Sequence, residues 1–210
     1  MARLERELGP GATCLFLQGA AGDINPVRGD SRDWRDVETY GLIVAGAALQ
    51  AIGAARLQEP NAEPTIGAAS QRLTLPAREA PSVAEAEAAL AQAGPDQVRS
   101  ARETYRLAQF GTAPIEAEVQ VLRVGSVAIA AFPGELFSAL GLALKARSPA
   151  ARTLVAECAN GCYGYLAPRD QWAKGGYEVG LGAWCRVAAG GPEAMLEAAG
   201  KLTGRLFGEA

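Results

Sequence analysis

The sequence contains no histidine. Imidazole is the commonest zinc ligand and the commonest general base near neutral pH. Any catalytic proposal must therefore do without it or take it from elsewhere. Basic residues are not in excess: 20 Lys and Arg against 23 Asp and Glu give a formal net charge of −3. No cationic field is available to hold a phosphate backbone, so nucleic acid is excluded as the main partner. Long apolar runs are missing too, and none reaches the ~18 to 20 residues that a membrane helix needs. The longest, Gly41 to Ala55, is broken by Gln50 and rich in Gly and Ala. It reads as a buried helix, and no membrane-spanning segment is expected. The opening residues Met-Ala-Arg-Leu-Glu-Arg-Glu lack the apolar core of a signal peptide, which leaves a cytoplasmic location as the default. Cysteine is sparse. Cys14, Cys158, Cys162 and Cys185 form no C-x-x-C pair and have apolar or aromatic neighbours. Buried free thiols are expected, and Cys158 could bridge Cys162 only if the loop between them turned back.

The 210 residues are 49% hydrophobic and 20% charged. That is globular composition, enough for one domain or a large half of one. Residues 2 to 8 carry Leu4 and Leu8 among charges, as in the end of a helix, and Gly9-Pro10-Gly11 stops it. The apolar run Thr13 to Gln18 predicts a short buried strand. A helix end, a stop and a strand this early predict a chain that begins mid-fold. Gly19 to Asp33 reads as a loop, and Trp34 to Leu57 as a helix with Asp33 as cap. Thr65 to Leu75 alternates as a strand. Ser82 to Ala93 is a helix with a capping box made by Ser82 and Glu85. After Gly94-Pro95 a second helix runs to about Gln109. Ile115 to Ala131 holds two strands around Gly125, and Glu135 to Lys145 is a helix started by Pro133-Gly134. Thr153 to Cys158 is a strand, Asn160 to Trp184 is irregular, and Pro192 to Phe207 is an amphipathic helix with Pro in its first turn. Strands alternating with helices in this order predict an α/β or mixed α+β fold, a central sheet flanked by helices.

Three loops concentrate polar and small residues. Gln18-Gly19-Ala20-Ala21-Gly22-Asp23-Ile24-Asn25-Pro26 sets small residues before an acid and an amide. Asp23 either orients a ligand or neighbour, or simply closes an Asx-turn. Phe132-Pro133-Gly134-Glu135 leaves an apolar strand. Glu135 either complements a helix dipole or stands where α/β proteins keep their sites, at the end of a central strand. Asn160-Gly161-Cys162-Tyr163-Gly164-Tyr165, continuing to Gly175-Gly176-Tyr177-Glu178, offers phenols that could pack, donate hydrogen bonds or bind a hard metal.

Taken together, these loops resemble the neutral (non-lysosomal) ceramidase family, zinc-dependent amidases that cleave the N-acyl bond of sphingolipids. The first resembles that family's Gly-Asp-x-Ser-Pro loop, the second its Pro-Gly-Glu, and the third its Asn-x-x-x-x-Tyr segment followed by Tyr-Glu. The resemblance runs from about Leu4 to Phe207 and covers the C-terminal half of the family's catalytic domain. It implies that residues 1–210 are a single domain or half of a larger layered α/β/β/α-type domain. It also implies that Glu135 and Tyr165 are metal ligands, that Tyr177 steadies the oxyanion, and that Asp23 and Asn25 belong to the loop of the active serine.

Two departures follow from the residues. Asn25 stands where that family has its serine, and a carboxamide is no nucleophile, although it can donate a hydrogen bond to a carbonyl. The family's two zinc-binding histidines have no counterpart here. Zinc is thus expected only if histidines come from a missing N-terminal half or a partner chain, with an N-acyl lipid-like compound as substrate. The competing expectation is a truncated or non-catalytic half, or a metal-free binding module.

Overall fold

The computed structural model describes residues 1–27, 29, 31–56 and 64–208. The chain divides into two compact units, one of residues 1–17 and 25–64, the other of residues 18–24 and 65–210. The first unit contains helices α1 (Ala2–Leu8) and α2 (Trp34–Arg56), which pack on each other. Asp33 starts α2 as expected, its carboxylate accepting the Arg35 amide at 2.9 Å. The expected last residue, Leu57, lies outside the described residues, as do Arg28 and Asp30 of the preceding loop.

Two expectations fail in this unit. Thr13 to Gln18 is not a strand: Leu15 and Phe16 are exposed and no ladder includes them. An apolar run becomes a strand only beside a partner edge, and the described residues of this unit contain no strand. Nor is Gly41 to Ala55 a buried helix, since Leu42, Ile43 and Val44 are all exposed. Three consecutive apolar residues point to different sides of a helix, and one short helix cannot cover them. By length and composition alone, Trp34–Ala55 meets the minimum for a bilayer crossing, a test that core helices and leader segments also pass.

The second unit is the mixed α+β fold that the element order predicts. Its elements are β1 (Ile66–Leu75), α3 (Val83–Gln92), α4 (Val98–Phe110), β2 (Ile115–Val124), β3 (Val127–Ala131), β4 (Glu135–Leu136), α5 (Ser138–Arg147), β5 (Arg152–Ala156), β6 (Tyr165–Leu166), α6 (Arg169–Lys174) and α7 (Gly191–Phe207). The main sheet has the order β1-β2-β3-β5, with β3 and β5 parallel and the other pairs antiparallel. Alternation dictates β2: Ile115, Ala117, Val119 and Val121 are buried while Glu116 is exposed. The β2–β3 hairpin turns at Gly125, whose φ of 57° suits glycine and removes the need for Asn or Asp there. Helix α7 covers β1 and β2 and also touches α5, burying Met195, Ala199 and Leu202. Phe132, Leu136, Leu144 and Leu166 complete this core. Each such side chain contributes roughly 1.5–3 kcal/mol by leaving water. The capping box at Ser82 and Glu85 is present in full.

The second unit also corrects the expected helix start. Glu135 does not lie in a first helical turn; it opens the two-residue strand β4, and α5 begins three residues later. The thiols differ from expectation as well: Cys185 is buried and Cys14 half-buried, but Cys158 and Cys162 are exposed.

Exposed apolar side chains at Leu15, Phe16, Val27, Trp34 and Ile43 present more hydrocarbon than a monomer usually leaves in water. The purified chain is expected to self-associate, with light scattering giving a mass that rises above one chain with concentration. A monodisperse monomer at every concentration would contradict this.

Candidate functional site

The site is built where β4 and β6 pair in parallel, Glu135 opposite Tyr165 and Leu136 opposite Leu166. In-register residues of neighbouring strands point to one face, and the strands lie about 4.8 Å apart. The Glu135 carboxylate and the Tyr165 phenol are thereby neighbours. Two backbone bonds hold the pair, Glu135 N to Gly164 O at 2.9 Å and Phe137 N to Leu166 O at 3.2 Å. On the far side of β6, Tyr165 N donates to Trp184 O at 2.7 Å. On the far side of β4, Gly22 N donates to Leu136 O at 2.9 Å, which brings the first loop to the site. Glycine is required at these crossings. A Cβ on Gly22 would fall 2.4 Å from Glu135 O, and one on Gly164 would fall 2.0 Å from Trp184 O.

Asp23 completes the docking of the first loop. Helix α5 has Phe137 at its N-cap, which offers no capping oxygen. Asp23 supplies one from 115 positions away: Oδ1 accepts the Ser138 amide at 2.6 Å and Oδ2 accepts the Ser138 hydroxyl at 2.9 Å. Asn25, two residues on, is exposed and belongs to the first compact unit. The second unit thus brings together Asp23, Glu135, Tyr165 and Tyr177.

The rings of Tyr165 and Tyr177 meet edge to face, 6.0 Å between centroids. Tyr177 is in turn stacked on Trp184 at 4.8 Å, and the Trp184 indole N–H donates to Tyr177 O at 2.9 Å. This fixes the backbone of an otherwise half-exposed tyrosine. Burial pushes the Tyr165 phenol up to about 12, helped by the charge of Glu135, the neighbouring Tyr177, a hydrogen bond with Glu135 and the charge of Glu178. Burial also raises the Glu157 carboxyl. The Ala21 and Leu136 amides oppose that rise, and the charge of Glu135 reinforces it. Acidic groups are therefore crowded here in partial isolation from water, with no cation among the causes of these shifts.

Sequence reasoning missed Glu157 and Trp184. Glu157 follows the last residue of β5, as Glu135 follows soon after β3. The rule that singled out Glu135, a carboxylate at the end of a central strand, applies to it equally. Its Oε2 accepts the Ala21 amide at 3.1 Å, so it anchors the first loop. No sequence signal pointed to Trp184, whose role depends on stacking.

As metal donors, Glu135 and Tyr165 offer two oxygens and no nitrogen. Among the described residues, no group of three or more His, Cys, Asp or Glu is arranged to hold a metal ion. A catalytic zinc has three protein ligands or more, so the donors described do not by themselves fit one.

The fold has solved counterparts. The crystal structure of neutral ceramidase from Pseudomonas aeruginosa is similar to 97% of this chain over 40% of its own, with a TM-score of 0.62 and 19% identity. A ceramidase complexed with C2 aligns with 68% of this chain over 30% of its own, at a TM-score of 0.43 and 10% identity. The chain thus spans less than half the length of either protein. No protein-family model matches the sequence, and a comparison with curated proteins gives no match. The likeness to the Pseudomonas structure establishes a ceramidase-like fold.

Two substitutions test the geometry. Gly164→Ala forces a Cβ against the Trp184 carbonyl at a φ of +81°. Overpacking of this kind costs roughly 1–3 kcal/mol, and the left-handed backbone about 1–2 more. Asp23→Ala removes the cap of α5 and is expected to cost about 1 kcal/mol. Urea denaturation measures both, and unchanged midpoints would contradict these contacts.

Proposed function

We propose that the chain carries part of a ceramidase-like amidohydrolase site, acting on an N-acyl lipid-like compound once histidines from outside this sequence complete it. What supports this reading is the in-register pairing of Glu135 with Tyr165, beside Tyr177, within a ceramidase-like fold. In this reading Glu135 and Tyr165 are the two donors this chain gives to a zinc ion. A zinc ion held there together with histidines from outside the chain would supply an acidified water, its pKa brought down towards ~7. The chain's own residues do the rest. Tyr165 keeps its proton at neutral pH, because burial and the charge of Glu135 hold its phenol at about 12. Tyr177 presents a phenolic O–H to a carbonyl oxygen and steadies the charge that develops there. Asp23 is a positioning residue, tying the first loop to α5.

A second reading is a non-catalytic half, a subunit that awaits a histidine-bearing partner, or a metal-free binding module. It is favoured by the lack of any three-ligand group among the described residues.

Titration calorimetry of Zn²⁺ into metal-free protein, alongside amide release from a fluorescent N-acyl sphingosine, separates the readings. The chain alone is expected to bind zinc more weakly than micromolar and to release no amide. Glu135→Gln and Tyr165→Phe are each expected to weaken that binding several-fold. Supplying a histidine-bearing N-terminal half in trans is expected to give turnover. Zinc binding indifferent to both substitutions would reject the site and leave the metal-free reading. Stoichiometric sub-micromolar binding by the chain alone would show that it needs no completion.

A further inference from the structure

We propose that Cys158 and Cys162 form a redox-modifiable pair, closed to an intramolecular disulfide by a small anionic disulfide that reaches Cys162 through the adjoining cleft. The inference does not depend on what reaction the neighbouring site performs.

The geometry begins with the backbone after β5. Cys158 (φ 50°) and Asn160 (φ 62°) are the only non-glycine residues with positive φ among those described, and Gly161 follows at 137°. Such values are uncommon for residues with a Cβ and turn the chain back sharply. The reversal is held by three hydrogen bonds to the strand-to-site connection: Cys158 N to Gly134 O at 3.1 Å, Ala159 N to Phe132 O at 2.9 Å and Tyr163 N to Pro133 O at 2.9 Å. Its result is that two exposed sulfurs lie 3.7 Å apart. A disulfide needs ~2.05 Å, a closure of roughly 1.6 Å that side-chain rotation can supply. The other thiols have no such neighbour, and Cys185 is buried.

Cys162 also lines a cleft of about 570 Å³ whose walls include Arg106, Phe110, Trp184 and Arg186. The Arg186 guanidinium lies 3.7 Å above the Phe110 ring, which fixes a cation in the same cleft, while Arg106 is paired with Glu103 of the lining at 2.7 Å. An aromatic wall with the Arg186 guanidinium suits a peptide-sized disulfide bearing carboxylates, of which oxidised glutathione is the simplest probe. The Cys158 thiol is pushed up to about 12, by burial first, then by Cys162 and by the charges of Glu157 and Glu135. Cys162, which lines the cleft where Cys158 does not, is the thiol that the small disulfide meets first.

The exchange balances. The Cys162 thiolate attacks one sulfur of the small disulfide, whose S–S bond breaks and releases one small thiolate. Cys158 then loses its proton to solvent, and its sulfur attacks Cys162 Sγ and expels the second thiolate. Two protein thiols are oxidised, one small disulfide is reduced to two thiols, and excess thiol reverses both steps. Closure ties the end of β5 to the turn that leads into β6.

The test equilibrates the full chain in mixtures of oxidised and reduced glutathione, quenches with acid, and alkylates under denaturing conditions before tryptic digestion. Both cysteines fall in the peptide Thr153–Arg169. In oxidising mixtures this peptide is expected to lose two hydrogens and take up no alkyl group, while Cys14 and Cys185 are recovered alkylated or, for Cys14, as a glutathione adduct. Excess reduced thiol is expected to restore two alkylated cysteines. In C158S the peptide is expected to carry one glutathione at Cys162. Sampled before equilibrium, the adduct at Cys158 in C162S is expected to form several-fold more slowly than that at Cys162 in C158S. The pair is refuted if the wild-type peptide remains doubly alkylated at every ratio, or if it carries glutathione on both cysteines without bridging. Equal initial rates of adduct formation in the two variants would refute the assignment of Cys162 as the entry point.

Discussion

The candidate site depends on how closely four stretches of backbone approach one another around β4 and β6. The Gly22 loop, β4, β6 and the segment at Trp184 are hydrogen-bonded side by side. At three crossings, Gly22, Gly134 and Gly164, an added Cβ would sit within 2.5 Å of a carbonyl oxygen of the neighbouring stretch. No real side chain tolerates that distance, so glycine is the condition for the pairing. The pairing is in turn the condition for Glu135 to stand beside Tyr165. Strands of two residues have almost no ladder of their own. They persist here because Leu136 and Leu166 are fully buried in the main core while their neighbours Glu135 and Tyr165 reach the surface.

The same arrangement crowds negative and potentially negative groups. Glu135, Glu157 and Glu178 and the phenols of Tyr165 and Tyr177 influence one another, and the Tyr165 and Glu157 shifts are both upward. Upward shifts of acids mean that the folded site resists further negative charge. A cation or a hydrogen-bond acceptor such as an amide carbonyl would relieve that resistance in different ways. The first would let Tyr165 ionise; the second would use its proton.

Much of the fold was legible because its signals are local. Ser82 and Glu85 lie within one helical turn, and the alternation from Ile115 to Val121 needs only one strand to be seen. The errors arose where tertiary context decides. Pro133-Gly134-Glu135 before a Leu-rich run looks like a helix start, and nothing within a few residues reveals that Glu135 instead pairs with Tyr165, 30 positions on. Thr13 to Gln18 has the composition of a strand but enters no ladder. The helix Trp34–Arg56 has apolar residues enough for burial, yet Leu42, Ile43 and Val44 stay exposed. At the site, the three loops were visible as concentrations of small and polar residues. The Asp23 cap of a helix 115 positions away was not, nor was the stacking of Tyr177 on Trp184. The 158–162 pair was expected only on condition that the intervening loop turned back, and positive φ values, which composition does not encode at Cys158, meet that condition.

The central claim is that Glu135 and Tyr165 share one partly desolvated site, and the ionisation of Tyr165 reports on it most directly. In the folded protein its phenol stands at about 12, against 10.0 for a free tyrosine. A raised folded-state value means that the folded chain retains a proton which the unfolded chain releases. The stability this confers is complete below pH 10 and is lost as pH rises through about 12. Titration of the tyrosine ring carbons by NMR, with Tyr165 assigned through Tyr165→Phe, is expected to give one resonance that ionises near 12. In Glu135→Gln, with the neighbouring charge removed and burial retained, the same resonance is expected to ionise at a lower pH, partway back to the free value. An ordinary midpoint in the wild type, or one that Glu135→Gln leaves unmoved, would contradict the account.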